Sequence, residues 1–173
     1  MDILILYYIQ NHFHNGFTDF IFPLITMLGN NGFIWILIGI CLVCTKKYRM
    51  YGVMLLAALM LTHIVGEVIL KQIIVRPRPF AAFPGHKLLI AAPGGYSFPS
   101  GHAASAFAAA FILRKADKRF GFPALFLALL IAFSRVFLFV HYPSDILTGA
   151  ILGVLCAAFI FYLFKKTENL FKI

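Results

Sequence analysis

Charged residues are scarce in this sequence. Only 12% of its 173 residues are Asp, Glu, Lys or Arg, whereas 62% are hydrophobic and the mean hydropathy is +0.92. Soluble domains have about 25% charged and about 45–50% apolar residues. A soluble protein of this composition would expose too much Phe and Leu, so we expect one membrane-embedded domain over residues 1–173.

Cysteine is also rare, which limits the possible cross-links and metal sites. Cys41, Cys44 and Cys156 all fall within apolar stretches. We expect them to be buried and unpaired, because disulfides do not suit such positions. Cys41 and Cys44 have CxxC spacing, but no second Cys or His pair accompanies them. The sequence therefore predicts no metal site, and it implies no cofactor.

Lys and Arg are absent from residues 1–45. The apolar run Ile3–Ile9 therefore lacks the basic region of a cleavable signal peptide, and it is too short to span a bilayer. We predict that it forms a helix lying in the outer membrane interface, ended by Asn15 and Gly16.

Four apolar stretches reach the roughly 17–25 residues that a spanning helix needs. They are residues 17–44, 51–74, 120–140 and 146–164, and a shorter fifth stretch covers 103–113. The predicted fold class is therefore all-α, a polytopic membrane helix bundle of five spans plus the N-terminal interfacial helix. A six-span alternative splits the first stretch at residues 29–32 and puts the N-terminus inside. The absence of Lys and Arg from residues 1–45 favours a terminus outside.

Ten of the fifteen basic residues form three clusters, at 46–49, 114–119 and 165–172. With five spans, all three clusters lie on one side of the membrane. An excess of Lys and Arg in short loops marks the cytoplasmic side. The net charge of +9 is therefore explained by topology, and we expect no nucleic-acid partner.

The other five basic residues lie on the outer side, where the same rule predicts few. They are Lys71, Arg76, Arg78, Lys87 and Arg135. Only Glu67 and Asp145 are available to neutralise them, which leaves about three positive charges for an anionic ligand. Glu67 precedes Lys71 by four residues, so we expect a helical ion pair between them.

The longest segment without apolar periodicity, residues 76–102, is rich in Pro and Gly and ends in Pro-Ser-Gly-His. Ser100 is a natural helix N-cap, and a helix N-terminus beside Gly101 could bind an anion. The alternative is a capped helix followed by a solvated His102. Ser100 lies about 21 Å along a helix from Arg114, at a rise of 1.5 Å per residue. This distance places it near the depth of the outer lipid head groups.

Three motifs resemble those of a known family. "KQIIVRPRP" (71–79) matches Lys, six residues, Arg-Pro; "PSGH" (99–102) matches a second signature; and "SRVFLFVHYPSD" (134–145) matches Ser-Arg, five residues, His, three residues, Asp. These are the signatures of the type 2 phosphatidic acid phosphatase superfamily, which also includes vanadium haloperoxidases and glucose-6-phosphatase. The resemblance covers about residues 17–165. The apolar spans exclude a soluble haloperoxidase.

The resemblance implies a role for each motif residue. His141 would be the nucleophile that forms a phosphohistidine, Asp145 would orient it, and His102 would protonate the leaving oxygen. Phosphate would be bound by a second group of residues, namely Lys71, Arg78, Arg135, Ser100 and the Gly101 N–H. Arg76 and Lys87 are possible substrate contacts; the alternative for Arg76 is a loop residue without such a role.

The resemblance also limits the substrates. It allows undecaprenyl diphosphate, phosphatidylglycerol phosphate, phosphatidic acid or a lipid A phosphate, and the "RPRPF" and "HYPSD" segments look most like bacterial undecaprenyl-diphosphatases. We therefore expect a metal-independent lipid phosphatase of the plasma membrane, with its active site outside the cytoplasm and no protein partner. A transporter or structural protein would spread polar residues through the spans, whereas here they cluster at one end.

Overall fold

The structure is a computed structural model that describes residues 1–170. All of these residues belong to helices or to the loops that connect them. The α-helices are α1 (Asp2–His12), α2 (Gly16–Gly29), α3 (Phe33–Cys44), α4 (Arg49–His63), α5 (Lys71–Ile74), α6 (Pro79–Ala82), α7 (Gly101–Ala116), α8 (Lys118–Phe137) and α9 (Pro143–Leu170). A 3₁₀ turn, Asn30–Gly32, joins α2 to α3, and a π-helical segment, Ile64–Leu70, joins α4 to α5. The predicted all-α class is confirmed.

Four helical stretches are long and apolar enough to cross a membrane. They are Gly16–Cys44, Arg49–Ala82, Lys118–Phe137 and Pro143–Thr167. Their outward faces expose large apolar side chains such as Phe17, Phe122 and Leu147. Because such surfaces are stable only in lipid, the chain is a multi-pass membrane protein. α7, with 16 residues, is shorter and packs at the centre of the bundle against α4, α8 and α9.

The first long stretch is broken where the sequence places two Asn between two Gly. Asn31 (φ 51°) and Gly32 (φ 70°) both adopt the left-handed region, which Asn and Gly tolerate better than other residues. α2 and α3 have 14 and 12 residues, so neither half alone reaches spanning length. A Cβ at Gly29 would lie 2.7 Å from the His102 ring, so the break lies directly against α7.

The N-terminal helix ends earlier than predicted, at His12 instead of Asn15 and Gly16. Asn15 belongs to the next helix. Its side chain accepts from the backbone N–H groups of Phe17 and Thr18, while the Thr18 hydroxyl accepts from the Asn15 N–H. This reciprocal capping box makes Asn15 the start of α2, because Asn is a strong N-cap residue.

Small residues allow α7 and α9 to pack closely. α7 buries alanines at positions 103, 104, 106, 108, 109 and 110. On α9, a Cβ at Gly149 would lie 2.5 Å from the Ser100 carbonyl oxygen, and one at Gly153 would lie 2.1 Å from that of Ala104. Close backbone approach through small residues is a common way for membrane helices to associate.

Replacing Gly153 by Ala is therefore expected to destabilise the protein. The added methyl group collides with the backbone of α7, and overpacking of this kind costs about 1–3 kcal/mol. Thermal unfolding in detergent should show a lower midpoint for Gly153→Ala, whereas Gly16→Ala, where a Cβ meets nothing within 4 Å, should change it little. Equal midpoints for both variants would contradict the packing described for α7 and α9.

The cysteines are free, as expected, but two of them are not buried. Cys41 and Cys44 are exposed and only Cys156 is buried. The expectation of burial was wrong for Cys41 and Cys44 because an apolar span that lies at the edge of a bundle turns part of its surface toward lipid instead of protein.

The basic clusters meet at one end of the bundle. The Tyr48 hydroxyl donates to Asp117 Oδ2 at 3.0 Å, which joins the α3–α4 turn to the α7–α8 turn. Lys115 Nζ lies 5.2 Å from the ring centroid of Phe161 near the end of α9. Lys172 lies outside the described residues. The opposite end holds α1, the loop 83–100 and the turn 138–142.

Candidate active site

A cavity of about 690 Å³ opens at the end of the bundle opposite the basic clusters. Six of the predicted site residues line it, namely Lys71, Arg78, Gly101, His102, Arg135 and His141. Apolar side chains from α3 and α4 form another part of its wall, namely Ile36, Leu56, Leu59 and Met60. The cavity thus joins a charged region to an apolar one.

His141 lies in the turn between α8 and α9. Its Nε2 is 3.1 Å from Arg78 Nη1, which can only donate, and its Nδ1 is 3.5 Å from Asp145 Oδ2. These neighbours assign the proton to Nδ1, and the Nε2 lone pair accepts a hydrogen bond from Arg78 Nη1. Burial lowers the pKa of the His141 imidazole, with Arg78 and Arg135 acting in the same direction, although the hydrogen bond to Asp145 raises it. A lowered pKa keeps Nε2 unprotonated and nucleophilic.

Asp145, in the first turn of α9, is fully buried and hydrogen-bonded through both carboxylate oxygens. Oδ2 accepts from the Ser97 hydroxyl at 2.5 Å and from the Tyr142 backbone N–H at 2.9 Å. Oδ1 accepts from Arg76 Nη1 at 2.6 Å. A buried carboxylate with this many donors is held in one orientation, which is what a residue that orients a histidine requires.

Arg78 joins two loops of the site. Nε and Nη2 donate to the carbonyls of Gly95 and Gly94, at 3.1 and 3.0 Å. Nη1 donates to the Val140 carbonyl at 3.0 Å and faces His141. The guanidinium therefore fixes loop 83–100 against the turn that carries His141.

Arg135 is almost completely buried near the end of α8. Nη1 donates to the Thr26 hydroxyl at 2.6 Å, whereas Nε has no hydrogen-bond partner within the described part of the chain. Because Arg135 also lines the cavity, its positive charge favours an anionic ligand there.

Lys71 forms the ion pair expected with Glu67. Its Nζ lies 2.7 Å from both carboxylate oxygens. Glu67 lies in the π-helical segment, a form of helix that is rare and often found at functional sites. A Cβ at Gly101 would lie 2.3 Å from Glu67 Oε1, so only glycine fits at the start of α7 without moving this pair.

His102 follows in the first turn of α7 and faces the break in the first span. Its Nε2 lies 3.0 Å from Asn30 Oδ1, in the 3₁₀ turn that joins α2 to α3.

The remaining predicted residues lie outside the cavity lining. Ser100 is fully buried, and its hydroxyl caps α7 by accepting from the Ala103 N–H. Arg76 lies behind Asp145, bonded to it and to neighbouring groups. Lys87 is exposed on the loop 83–100. The neighbouring His86 stacks on Phe139 with ring centroids 4.0 Å apart.

A family model for the PAP2 superfamily matches residues 47–168. The chain belongs to the PAP2 superfamily. It is 30% identical to undecaprenyl-diphosphatase BcrC of Bacillus subtilis over 156 residues, which cover 88% of this chain and 77% of that protein. It is 34% identical over 122 residues to a Bacillus licheniformis protein named bacitracin transport permease protein BcrC, covering 70% of this chain and 60% of that protein.

The fold is similar to that of a solved member of the PAP2 superfamily as well. The crystal structure of Aquifex aeolicus LpxE superposes with a TM-score of 0.82 at 28% identity, covering 93% of this chain and 94% of that one. The similarity in fold therefore extends beyond residues 47–168, which the PAP2 family model matches, into most of the preceding part of the chain.

Four residues that contact the site were missed in the sequence. Ser97 bonds Asp145, Asn30 bonds His102, Thr26 bonds Arg135, and Asp2 bonds Arg76. Asn30 could have been identified in the sequence, since polar residues are rare within the stretch 17–44. The Gly-Asn-Asn-Gly segment instead suggested only a possible split of the first span into two helices. Asp2, Thr26 and Asn30 all lie outside the region matched by the PAP2 superfamily.

Proposed function

We propose that this protein is a metal-independent phosphatase that hydrolyses a lipid phosphate or diphosphate, best undecaprenyl diphosphate, through a phosphohistidine on His141. The observation that carries the proposal is that His141, with Nε2 beside Arg78, lines the same cavity as Lys71, Arg78 and Arg135. A nucleophile beside several cations suits attack on a phosphoryl group, whose oxygens carry negative charge.

The first half of the reaction transfers the phosphoryl group to the enzyme. His141 Nε2 attacks phosphorus, the bond from phosphorus to the leaving oxygen breaks, and His102 gives that oxygen a proton. Asp145 holds the Nδ1 proton and stabilises the positive ring. Arg78 Nη1, which lies 3.1 Å from Nε2, would turn to a phosphate oxygen.

The second half releases phosphate. His102, now unprotonated, takes a proton from water while the water oxygen attacks phosphorus, and the bond to His141 Nε2 breaks. Both histidines return to their starting protonation states. Lys71 and Arg135, which both line the cavity, neutralise charge on the non-bridging oxygens in both steps.

The apolar wall of the cavity supports a lipid substrate. Ile36, Leu56, Leu59 and Met60 continue from the charged region along α3 and α4, where a hydrocarbon chain could lie. The similarity to undecaprenyl-diphosphatase BcrC favours a prenyl diphosphate. Action at the outer face, in a plasma membrane crossed by five spans including α7, is supported by the basic clusters at the opposite end.

Phosphate release from detergent-solubilised lipids tests the substrate. Undecaprenyl diphosphate, phosphatidylglycerol phosphate, phosphatidic acid and a lipid A phosphate should be compared side by side with the purified protein, and we expect the highest kcat/KM for the prenyl diphosphate. Faster turnover of another lipid would move the assignment to that class. No release from any lipid would favour a non-enzymatic membrane protein.

Chelation and vanadate test the mechanism. The described residues contain no group of three or more His, Cys, Asp or Glu side chains suited to a metal, so we expect activity to persist in EDTA. Vanadate should inhibit, because it adopts the five-coordinate geometry of the transferring phosphoryl group and such analogues bind tightly. Loss of activity in EDTA that magnesium restores would contradict the proposed chemistry.

A further inference from the structure

The N-terminal helix α1 lies across the turn that carries His141 and bonds to the helix on each side of it. At one end, Gln10 Nε2 donates to the Phe137 carbonyl at 2.8 Å, which satisfies a terminal carbonyl of α8. At the other end, Asp2 Oδ1 accepts from the Ser144 backbone N–H at 3.2 Å, and Asp2 Oδ2 accepts from the Ser144 hydroxyl. Terminal N–H and C=O groups of helices need such partners.

Apolar packing holds α1 in the same place. Leu6 and Ile9 are buried in a cluster with the turn residues Leu138, Phe139 and Val140. Asp2 of α1 also lies beside the N-terminus of α9. This contact is favourable because the helix dipole is positive at that end, which stabilises a nearby acidic side chain. α1 therefore covers the turn 138–142, which carries the proposed nucleophile His141, and forms hydrogen bonds to the helices on both sides of that turn.

Arg76 links α1 to the carboxylate behind the nucleophile. Nη2 donates to Asp2 Oδ2 at 2.9 Å, and Nη1 donates to Asp145 Oδ1 at 2.6 Å and to the Ser144 hydroxyl at 2.8 Å. Its guanidinium carbon lies 3.8 Å from the ring centroid of Tyr142. These contacts use the planar fork of arginine, which a lysine could not reproduce. Arg76 is not among the residues that line the cavity.

We propose that Arg76 is a positioning residue that holds Asp145, and through it His141, in the reactive orientation, and that Asp2 on α1 fixes Arg76 for this role. The proposal rests on the function proposed above for His141 and Asp145. It assigns a catalytic contribution to an N-terminal helix that lies outside the matched family region, residues 47–168.

Removing the charge of Arg76 and removing the charge of Asp2 should shift the pH dependence of activity in opposite directions. The positive Arg76 disfavours a second proton on His141, so its removal should raise the pKa of His141. Removing the negative Asp2 leaves Arg76 unneutralised and should lower that pKa. The other charged or titratable groups beside His141 are Asp145, Arg78, Arg135 and His102, with Lys71 and Glu67 elsewhere in the cavity lining. Neither substitution changes any of them.

The experiment compares Arg76→Gln, Arg76→Lys and Asp2→Asn in the full-length protein, with kcat and KM measured across pH. Arg76→Gln should lower kcat by about 10²-fold, in the range seen when a supporting residue of a catalytic group is lost, and KM should change little. The acidic limb of kcat/KM should move upward for Arg76→Gln, because removing a nearby positive charge raises the pKa of an imidazole. For Asp2→Asn the limb should move downward.

Matched substitutions control for charge and folding. Arg119→Gln and Asp19→Asn remove the same charges at positions that contact neither His141 nor Asp145, and their profiles should match the wild type. Arg76→Lys should keep the wild-type position of the acidic limb but lose kcat, because it retains the charge without the fork.

The outcomes separate the possible roles. A rise in KM for Arg76→Gln at unchanged kcat would make Arg76 a substrate contact and overturn the proposal. Equal losses of kcat in Arg76→Gln and Asp2→Asn with no opposite movement of the pH limb would show a structural role only. If His141→Ala retained the activity of the wild type, the function proposed for His141 would be refuted, whatever the result for Arg76.

Discussion

Replacing His141 by alanine is expected to abolish phosphate release, lowering kcat/KM by at least about 10³-fold, as is seen when a catalytic nucleophile is removed. The loss follows from the chemistry, because His141 is the described imidazole that lines the cavity with Lys71, Arg78 and Arg135 and also has a carboxylate beside its Nδ1. Release of inorganic phosphate from the preferred lipid substrate is the measurement. Turnover at the wild-type rate would refute His141 as the nucleophile.

A second variant guards against misfolding, because the His141 side chain is almost fully buried and its loss leaves Arg78 Nη1 without one neighbour. His141→Gln retains a polar group of similar size and should be equally inactive. His12→Ala, on the exposed side of α1, should retain full activity. Size-exclusion profiles and thermal midpoints close to those of the wild type would assign the loss to chemistry.

Labelling of single cysteines is expected to show on which side of the membrane the cavity opens. In a background with Cys41, Cys44 and Cys156 replaced, a cysteine at the exposed Ala92 should react with a membrane-impermeant thiol reagent on intact cells. One at the exposed Lys118, within a basic cluster, should react only after the membrane is opened. The reason is that Lys- and Arg-rich turns stay in the cytoplasm.

The inverse pattern would place the cavity at the cytoplasmic leaflet, and hydrolysis of an outward-facing lipid diphosphate would then be ruled out. A third cysteine at Leu4, exposed on α1, distinguishes the two topologies of the N-terminus. Labelling from outside agrees with five spans, whereas protection until the membrane is opened agrees with six. The contacts of Asp2 with Arg76 and Ser144 lead us to expect labelling from outside.

Hydropathy and motif spacing were sufficient to predict the fold class and the family. The apolar stretches predicted a multi-pass helical protein because lipid requires continuous backbone hydrogen bonding within each span. The three motifs predicted the family, and Lys71, Arg78, His102, Arg135 and His141 do line one cavity. Local patterns also predicted the Glu67–Lys71 pair and the Ser100 cap, since both involve residues within one or two helical turns.

Helix boundaries and surface exposure were less predictable. Asn15 was expected to end α1 but caps α2, because the same residue type favours turns and N-caps alike. Cys41 and Cys44 face outward because hydrophobicity does not distinguish a lipid-facing side of a span from a protein-facing one.

Residue types and their local order thus determined that this protein is a membrane-embedded member of the PAP2 superfamily and which side chains supply its candidate chemistry. Only the tertiary structure decided how those side chains are held. The contacts of Asn30 with His102, Thr26 with Arg135 and Asp2 with Ser144 join residues 72, 109 and 142 positions apart. Hydrogen bonds over such separations leave no periodic trace in a sequence, because they depend on how whole helices pack and not on the residues beside them.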